Sequence, residues 1–190
     1  MEANYRFDFE DLPLTAGLAD WGGLSFNLQG SFLNNYKITT LPGDQPFDCA
    51  GLYGSICTGA AVPAGAPLPE WRHKFKVSWR APARVELSAT WRYMGKVDVD
   101  QEFSGASHAN GPDKVLKAQN YIDFAGAWGV RDNIRLRFGV NNVFDKDPPL
   151  VSSGGGAVNN CPTGPCNGNT FPQAYDAIGR FLFVGVRADF

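Results

Sequence analysis

Arg180-Phe181-Leu182-Phe183-Val184-Gly185-Val186-Arg187-Ala188-Asp189-Phe190 closes the sequence, and its reading decides the fold. As an extended strand it puts Leu182, Val184, Val186, Ala188 and Phe190 on one face. Phe183, Gly185, Arg187 and Asp189 take the other, because side chains alternate with a period of two. A soluble chain gains little from apolar residues carried to its last position. A membrane strand does gain, since one face meets lipid and roughly 9–11 residues make a crossing. The same row also suits an edge strand of a soluble sandwich ending flush with its core, so the rest of the chain has to choose.

Composition narrows the choice. The 190 residues, 44% hydrophobic and 19% charged, suit one ordinary domain and are not those of a disordered chain. No run of ~18 apolar residues offers a transmembrane helix. A net charge of -2 gives no basic footprint, so no nucleic-acid partner is expected. Aromatics at 13%, 22 Gly and 13 Pro fit a β protein rich in turns. The mean hydropathy of -0.23 is compatible with a barrel, whose strands are apolar only on alternate residues.

Alternation recurs along the chain. It predicts strands around Tyr5 to Glu10, over Gly22 to Ile38, from Trp71 to Arg80, from Arg84 to Val97, from Ala118 to Val130 and from Ile134 to Asn141. In the third, Trp71, His73, Phe75, Val77 and Trp79 oppose Arg72, Lys74, Lys76 and Arg80, with Trp at both ends of the apolar row as at membrane interfaces. Gly126 is a weak spot in the fifth. Short connections follow the first, third and fifth strands. Long ones, rich in Gly and Pro, follow the second, fourth and sixth: Thr39 to Pro69, Asp98 to Lys117 and Asn142 to Gly179. Strict alternation of short and long is expected of an up-and-down barrel and not of a Greek-key sandwich.

Seven crossings is an odd number, whereas a complete bacterial barrel has an even one. Met1 to Asp8 also lacks the features of a signal peptide. Both lead to the expectation of an all-β, antiparallel, up-and-down transmembrane barrel segment, about seven strands of a larger barrel. An additional strand inside Thr39 to Pro69 would instead make eight.

Cys49 with Cys57, and Cys161 with Cys166, form two local pairs in turn-rich segments, which favours disulfides over a metal site. Asp145 and Asp147 read as turn formers before Pro148-Pro149. Ser152, Ser153, His73 and His108 have no Gly-x-Ser-x-Gly elbow to support hydrolase chemistry. Gly154-Gly155-Gly156 is followed by neither Lys-Ser/Thr nor a helix, so it is no phosphate cradle. Arg72, Arg80, Arg84, Arg92, Arg135 and Arg137 are expected to face the interior, where such a row can line a path for anionic ligands but more often pairs with acids such as Glu86 and Asp123 or meets a plug, so no role is assigned to them. No catalytic centre, cofactor or metal is expected.

Arg137-Phe138-Gly139-Val140-Asn141-Asn142-Val143-Phe144-Asp145-Lys146-Asp147-Pro148-Pro149, then Tyr175-Asp176 and a strand ending in Phe190, resembles the end of TonB-dependent outer-membrane receptors. Tyr5 to Asp8, Ser25 to Tyr36, Cys49-Ala50-Gly51 and Trp71-Arg72-His73 are similar to their preceding strands. The resemblance implies a C-terminal portion, residues 1–190, of a large barrel described as 22-stranded, with the rest of the barrel and the N-terminal plug not represented. It implies an outer-membrane location in contact with lipid, with TonB engaged only through that plug. The parent's role would be energy-coupled uptake of a siderophore, a cobalamin or a glycan. The row Leu182, Val184, Val186, Ala188 and Phe190 resembles the signal read by the barrel-assembly machinery. The competing expectation is a secreted β-sandwich that binds carbohydrate or protein, in which a second sheet must cover the aromatic rows.

Overall fold

Each of the seven alternating stretches contributes a strand to one sheet. A computed structural model describes residues 1–11, 20–39, 41–54, 57, 66–100, 114–151 and 170–189. The described strands are β1 (Glu2–Asp8), β2 (Gly23–Phe32), β3 (Lys37–Ile38), β4 (Phe47–Asp48), β5 (Leu52–Tyr53), β6 (Trp71–Ala81), β7 (Val85–Met94), β8 (Val97–Val99), β9 (Val115–Leu116), β10 (Gln119–Arg131), β11 (Ile134–Asn141) and β12 (Phe181–Ala188). Seven of them form one sheet in the order β1-β2-β6-β7-β10-β11-β12, every neighbouring pair antiparallel. This is an up-and-down barrel wall. Its outer members β1 and β12 each have a single partner strand among the described residues.

The register puts like with like. Tyr5, Phe26, Val77, Ala89, Phe124, Val140 and Leu182 stand side by side across all seven strands. One residue along, Arg6, Ser25, Ser78, Ser88, Ala125, Gly139 and Phe183 make the row on the opposite face. A slip of one residue in any pair would exchange the two faces. The apolar face is uncovered: on the inner strand β10, flanked on both sides, Phe124 is 49% and Trp128 44% exposed. No sheet of the described residues lies over it, so the sandwich expectation fails.

Aromatic side chains collect at both ends of this face. Trp21 stacks on Trp79 at 6.1 Å beside the short connections. At the other end His73 lies 4.5 Å from Trp91 and 5.1 Å from Tyr93, and accepts a 2.9 Å hydrogen bond at Nδ1 from Trp71 Nε1. Trp71 and Trp79, at about 3.3 Å per residue, are separated by roughly 26 Å along the strand, about 20 Å along the membrane normal at the usual tilt, which fits within the ~25 Å apolar band of outer-membrane barrels. His73 sits on the outer face at this interface, as expected.

Two expected strands are shorter than their alternation. The one from Gly22 to Ile38 leaves the wall after Phe32: Leu33 N donates to Glu70 O, and Lys37–Ile38 pairs with Phe47–Asp48 in a separate two-stranded sheet. The one from Arg84 to Val97 leaves after Met94, where Gly95 N donates to Trp71 O, and Val97–Val99 joins a three-stranded sheet with β5 and β9. In that sheet β5 and β8 are parallel, an exception to the antiparallel expectation. The described part of Thr39 to Pro69 adds only the two-residue strands β4 and β5, neither of them in the wall sheet. Arg84 departs too: it lies in the Pro82-to-Arg84 turn at φ 62° and pairs with Asp132 of the next short turn instead of joining the interior row.

Gly126, the apparent gap in its row, is filled from the next strand. A Cβ there would meet Phe138 ring atoms at 2.5 Å and Leu87 at 3.0 Å, so the Phe138 ring occupies the space above the glycine. At Gly185 an added Cβ would meet nothing within 4 Å. Gly126→Ala should therefore cost about 1–3 kcal/mol of overpacking, whereas Gly185→Ala should be neutral. Urea midpoints of the lipid-assembled protein check this, and equal midpoints for the two variants would rule out the slot.

Candidate functional site

The three long connections fold against one another. Tyr53 from the first, Val97, Val99 and Leu116 from the second, and Val151, Phe171 and Tyr175 from the third form a single buried cluster, with Tyr53 and Phe171 edge-to-face at 5.9 Å. Met94 and Ala174 pack against it. Here, in water, the hydrophobic effect acts as in a soluble protein. Burial pushes the Tyr175 phenol upward from its ordinary value.

Covalent and polar ties reinforce this cap. Cys49 and Cys57 are disulfide-bonded and fully buried, with Cα atoms 5.6 Å apart. The Asp100 carboxylate, also buried, accepts a hydrogen bond from Cys57 N at 3.3 Å and lies against Gly54, where a side chain would collide with it. Asp48 accepts from Tyr36 N at 2.9 Å and from Ala50 N at 3.1 Å, and these bonds hold its carboxyl below the usual 3.8.

Below the cap, the polar face of the wall is the lumenal side, and Arg92 is its centre. Its Nε donates to Asp123 Oδ2 at 2.7 Å and its Nη2 to Asp123 Oδ1 at 2.9 Å. Nη1 and Nη2 also reach Asp176 Oδ1 and Oδ2 at 2.8 and 2.5 Å. The guanidinium lies 5.0 Å from the centre of the Tyr121 ring. Asp123 Oδ1 further accepts Asn142 N at 2.9 Å. A wall arginine thus holds one carboxylate from the wall and one from the third long connection. Asp123 is the interior acid the sequence suggested for such pairing. Arg80 pairs with Asp8 and not with Glu86, its neighbour in register. Arg72, Lys74, Lys76, Arg135 and Arg137 have no ion pair among the described residues.

The corner after β11 is built by Asn142. At φ 50°, buried, it donates from Nδ2 to Lys146 O and accepts at Oδ1 from Lys146 N, both at 2.9 Å. Asp145, at φ 52°, accepts Arg180 N at 2.7 Å and so ties this corner to the start of β12. Asp145 closes the turn through its backbone N on Asn142 O at 2.9 Å, while its carboxylate makes this long-range bond instead of the local one expected. Asn142 was not singled out, although Asn is among the residues that tolerate positive φ and bond their local backbone.

Of the remaining expected residues, Leu182, Val184 and Val186 lie on the outer face, 70%, 75% and 69% exposed, and Ala188 ends β12 opposite Ile134. Phe190, Cys161, Cys166, Ser152, Ser153, Gly154-Gly155-Gly156 and His108 lie outside the described residues. Among the described residues no group of three His, Cys, Asp or Glu is placed to hold a metal.

Replacing both Cys49 and Cys57 by Ala opens a loop of eight-residue separation, a loss of about 2.5 kcal/mol on loop-entropy grounds. Faster proteolysis within the cap is expected, with unchanged strand content in the wall by circular dichroism. Asp48 has a depressed pKa, so its contribution is complete above 3.8 and lost as pH falls through the lower folded value. An NMR titration of the Tyr36 and Ala50 amides should have its midpoint below 3.8, and a midpoint at or above 3.8 would contradict it.

No family model matches the chain. A stretch of 80 residues, 42% of the chain and 11% of the relative, is 28% identical to the ferrienterobactin receptor of Escherichia coli (strain K12). The whole chain superposes on 22% of the ferric enterobactin receptor of Pseudomonas aeruginosa, solved as a point mutant, with a TM-score of 0.50 and 19% identity. The chain therefore spans a small part of the length of either protein. In sequence over part of its length, and in fold over all of it, the chain is similar to the barrel wall of a TonB-dependent outer-membrane receptor.

Proposed function

We propose that this chain is wall and loop cap of an outer-membrane receptor that takes up a scarce ligand by energy coupling. The observation that supports it most is the continuous apolar face, uncovered across seven strands and edged by aromatic residues, opposite a charged face closed at one end by packed loops. A wall of this kind has lipid on one side and a ligand path on the other. Among siderophores, cobalamins and glycans, an iron siderophore is favoured, because both similar proteins are named for iron-loaded enterobactin. Residues 1–190 then act as the C-terminal portion of the receptor. TonB is reached through a plug, and Leu182, Val184, Val186, Ala188 and Phe190 are read by the assembly machinery. Cys161 and Cys166 would close a second small disulfide loop in the same oxidising compartment.

The protein bearing this chain should fractionate with the outer membrane as a heat-modifiable species. Deleting its gene should lower TonB-dependent uptake of a ferric siderophore by at least tenfold. Recovery from the soluble periplasm would end this reading, and unchanged siderophore uptake would end the choice of ligand.

A further inference from the structure

We infer that Asp176 is a tethered substitute for a ligand's carboxylate: it occupies half of an anion site on Arg92, and an incoming polyanion takes its place and releases the third connection from the wall. The inference rests on reading this face as a receptor lumen, and it goes beyond that reading by naming a site and a switch.

The site is built before any ligand arrives. Arg92 presents a planar fork of donors, and it is already anchored through Asp123, which is itself held by Asn142 N. Asp123 belongs to the neighbouring wall strand and stays when the loop moves. Asp176 belongs to the connection, 84 residues from Arg92 in sequence, and is held to the guanidinium by two side-chain bonds. Beside them Lys74 stands directly opposite Arg92 in the register, an unfavourable like-charge pairing. Arg72, two residues away on the same face, also has no ion-pair partner among the described residues. Arg92 and Lys74 therefore stand together over Asp123 and Asp176, with Arg72 further along the same face. A cavity of about 570 Å³, lined by Lys74, Arg92, Asp123, Tyr175 and Asp176 among others, opens at this point. Side chains here keep 17–28% exposure, so an anion can enter from water.

Exchange swaps like for like, one carboxylate for another. A second carboxylate on the ligand meets Lys74, which lines the same cavity and which Asp176 leaves unpaired. Bidentate arginine–carboxylate bonds are among the strongest polar contacts, so neither competitor is trivially displaced. Release of Asp176 frees a segment whose neighbours Phe171 and Tyr175 belong to the cap's buried cluster, which couples anion binding to the packing of all three connections.

Citrate serves as the probe, against sodium chloride of equal ionic strength so that screening is matched. In the purified full-length protein, citrate should raise hydrogen–deuterium exchange across residues 170–179. Asp176→Asn should raise that exchange without citrate and tighten citrate binding roughly tenfold, since the internal competitor's charge-assisted bonds are weakened. Adding Arg92→Gln to Asp176→Asn should remove the tightening, with heat-modifiability confirming that each variant is folded. Citrate affinity unchanged by Asp176→Asn, or exchange across 170–179 indifferent to citrate, would overturn the inference. Either result leaves the outer-membrane reading intact, because that is decided by fractionation and siderophore uptake.

Discussion

A backbone entering hydrocarbon has no water to satisfy its amides and carbonyls, so each must find a partner within the sheet. In this chain the antiparallel ladder meets that demand across β2, β6, β7, β10 and β11, each with a strand on both sides. The ladder also fixes register, and register decides which side chains face out. Phe26, Val77, Ala89, Phe124 and Val140 form one row only because four successive pairings keep the same parity. The wall consequently needs almost no apolar interior of its own. Among the described wall residues, Tyr121 is the lone strongly buried large hydrophobe, and it lies under Arg92 at the cap.

The cap obeys the opposite rule. Its stability comes from burying Tyr53, Val97, Leu116, Val151, Phe171 and Tyr175 away from water, and from a disulfide across a short loop. The two regimes meet at a few points: Gly95 N on Trp71 O, Asn142 N on Asp123, and Asp176 on Arg92. These joints are polar and specific, whereas the packing on either side is broad and apolar. Such a division lets loop composition change without disturbing the lipid-facing rows, because few wall residues enter the cap.

That division also governs what a reader of the sequence can see. Alternation is local, so β6, β11 and β12 were legible to within a residue or two, and the order of short and long connections gave the meander. Two local cysteines with one short spacing made Cys49–Cys57 legible as well. The ends of β2 and β7 were not, since Tyr36, Ile38 and Val97 continue the period although their backbone is claimed by Asp48, Phe47 and Leu116. Those partners lie 9–19 residues away, beyond any periodicity signal. The cap cluster was equally hidden: it draws single residues from three segments that each read as turn-rich loop. Asp123 could be proposed for Arg92 because both lie in alternating strands, but Asp176 stood in a loop with no pattern to aim it.

Asn142 and Gly126 show how a fold places residues that look weak in isolation. A buried Asn at positive φ would be a liability in a strand, yet here its amide takes both backbone groups of Lys146 while its own N–H is fixed by Asp123. It therefore relays the position of the Arg92 site to the corner that starts the third connection, and Asp145 relays it onward to Arg180 at the start of β12. The carboxylate of the loop and the carboxylate of the wall thus meet at a single guanidinium. A change at Arg92 reaches the mouth through Asp176 and the β11 corner through Asp123, with no step longer than a hydrogen bond.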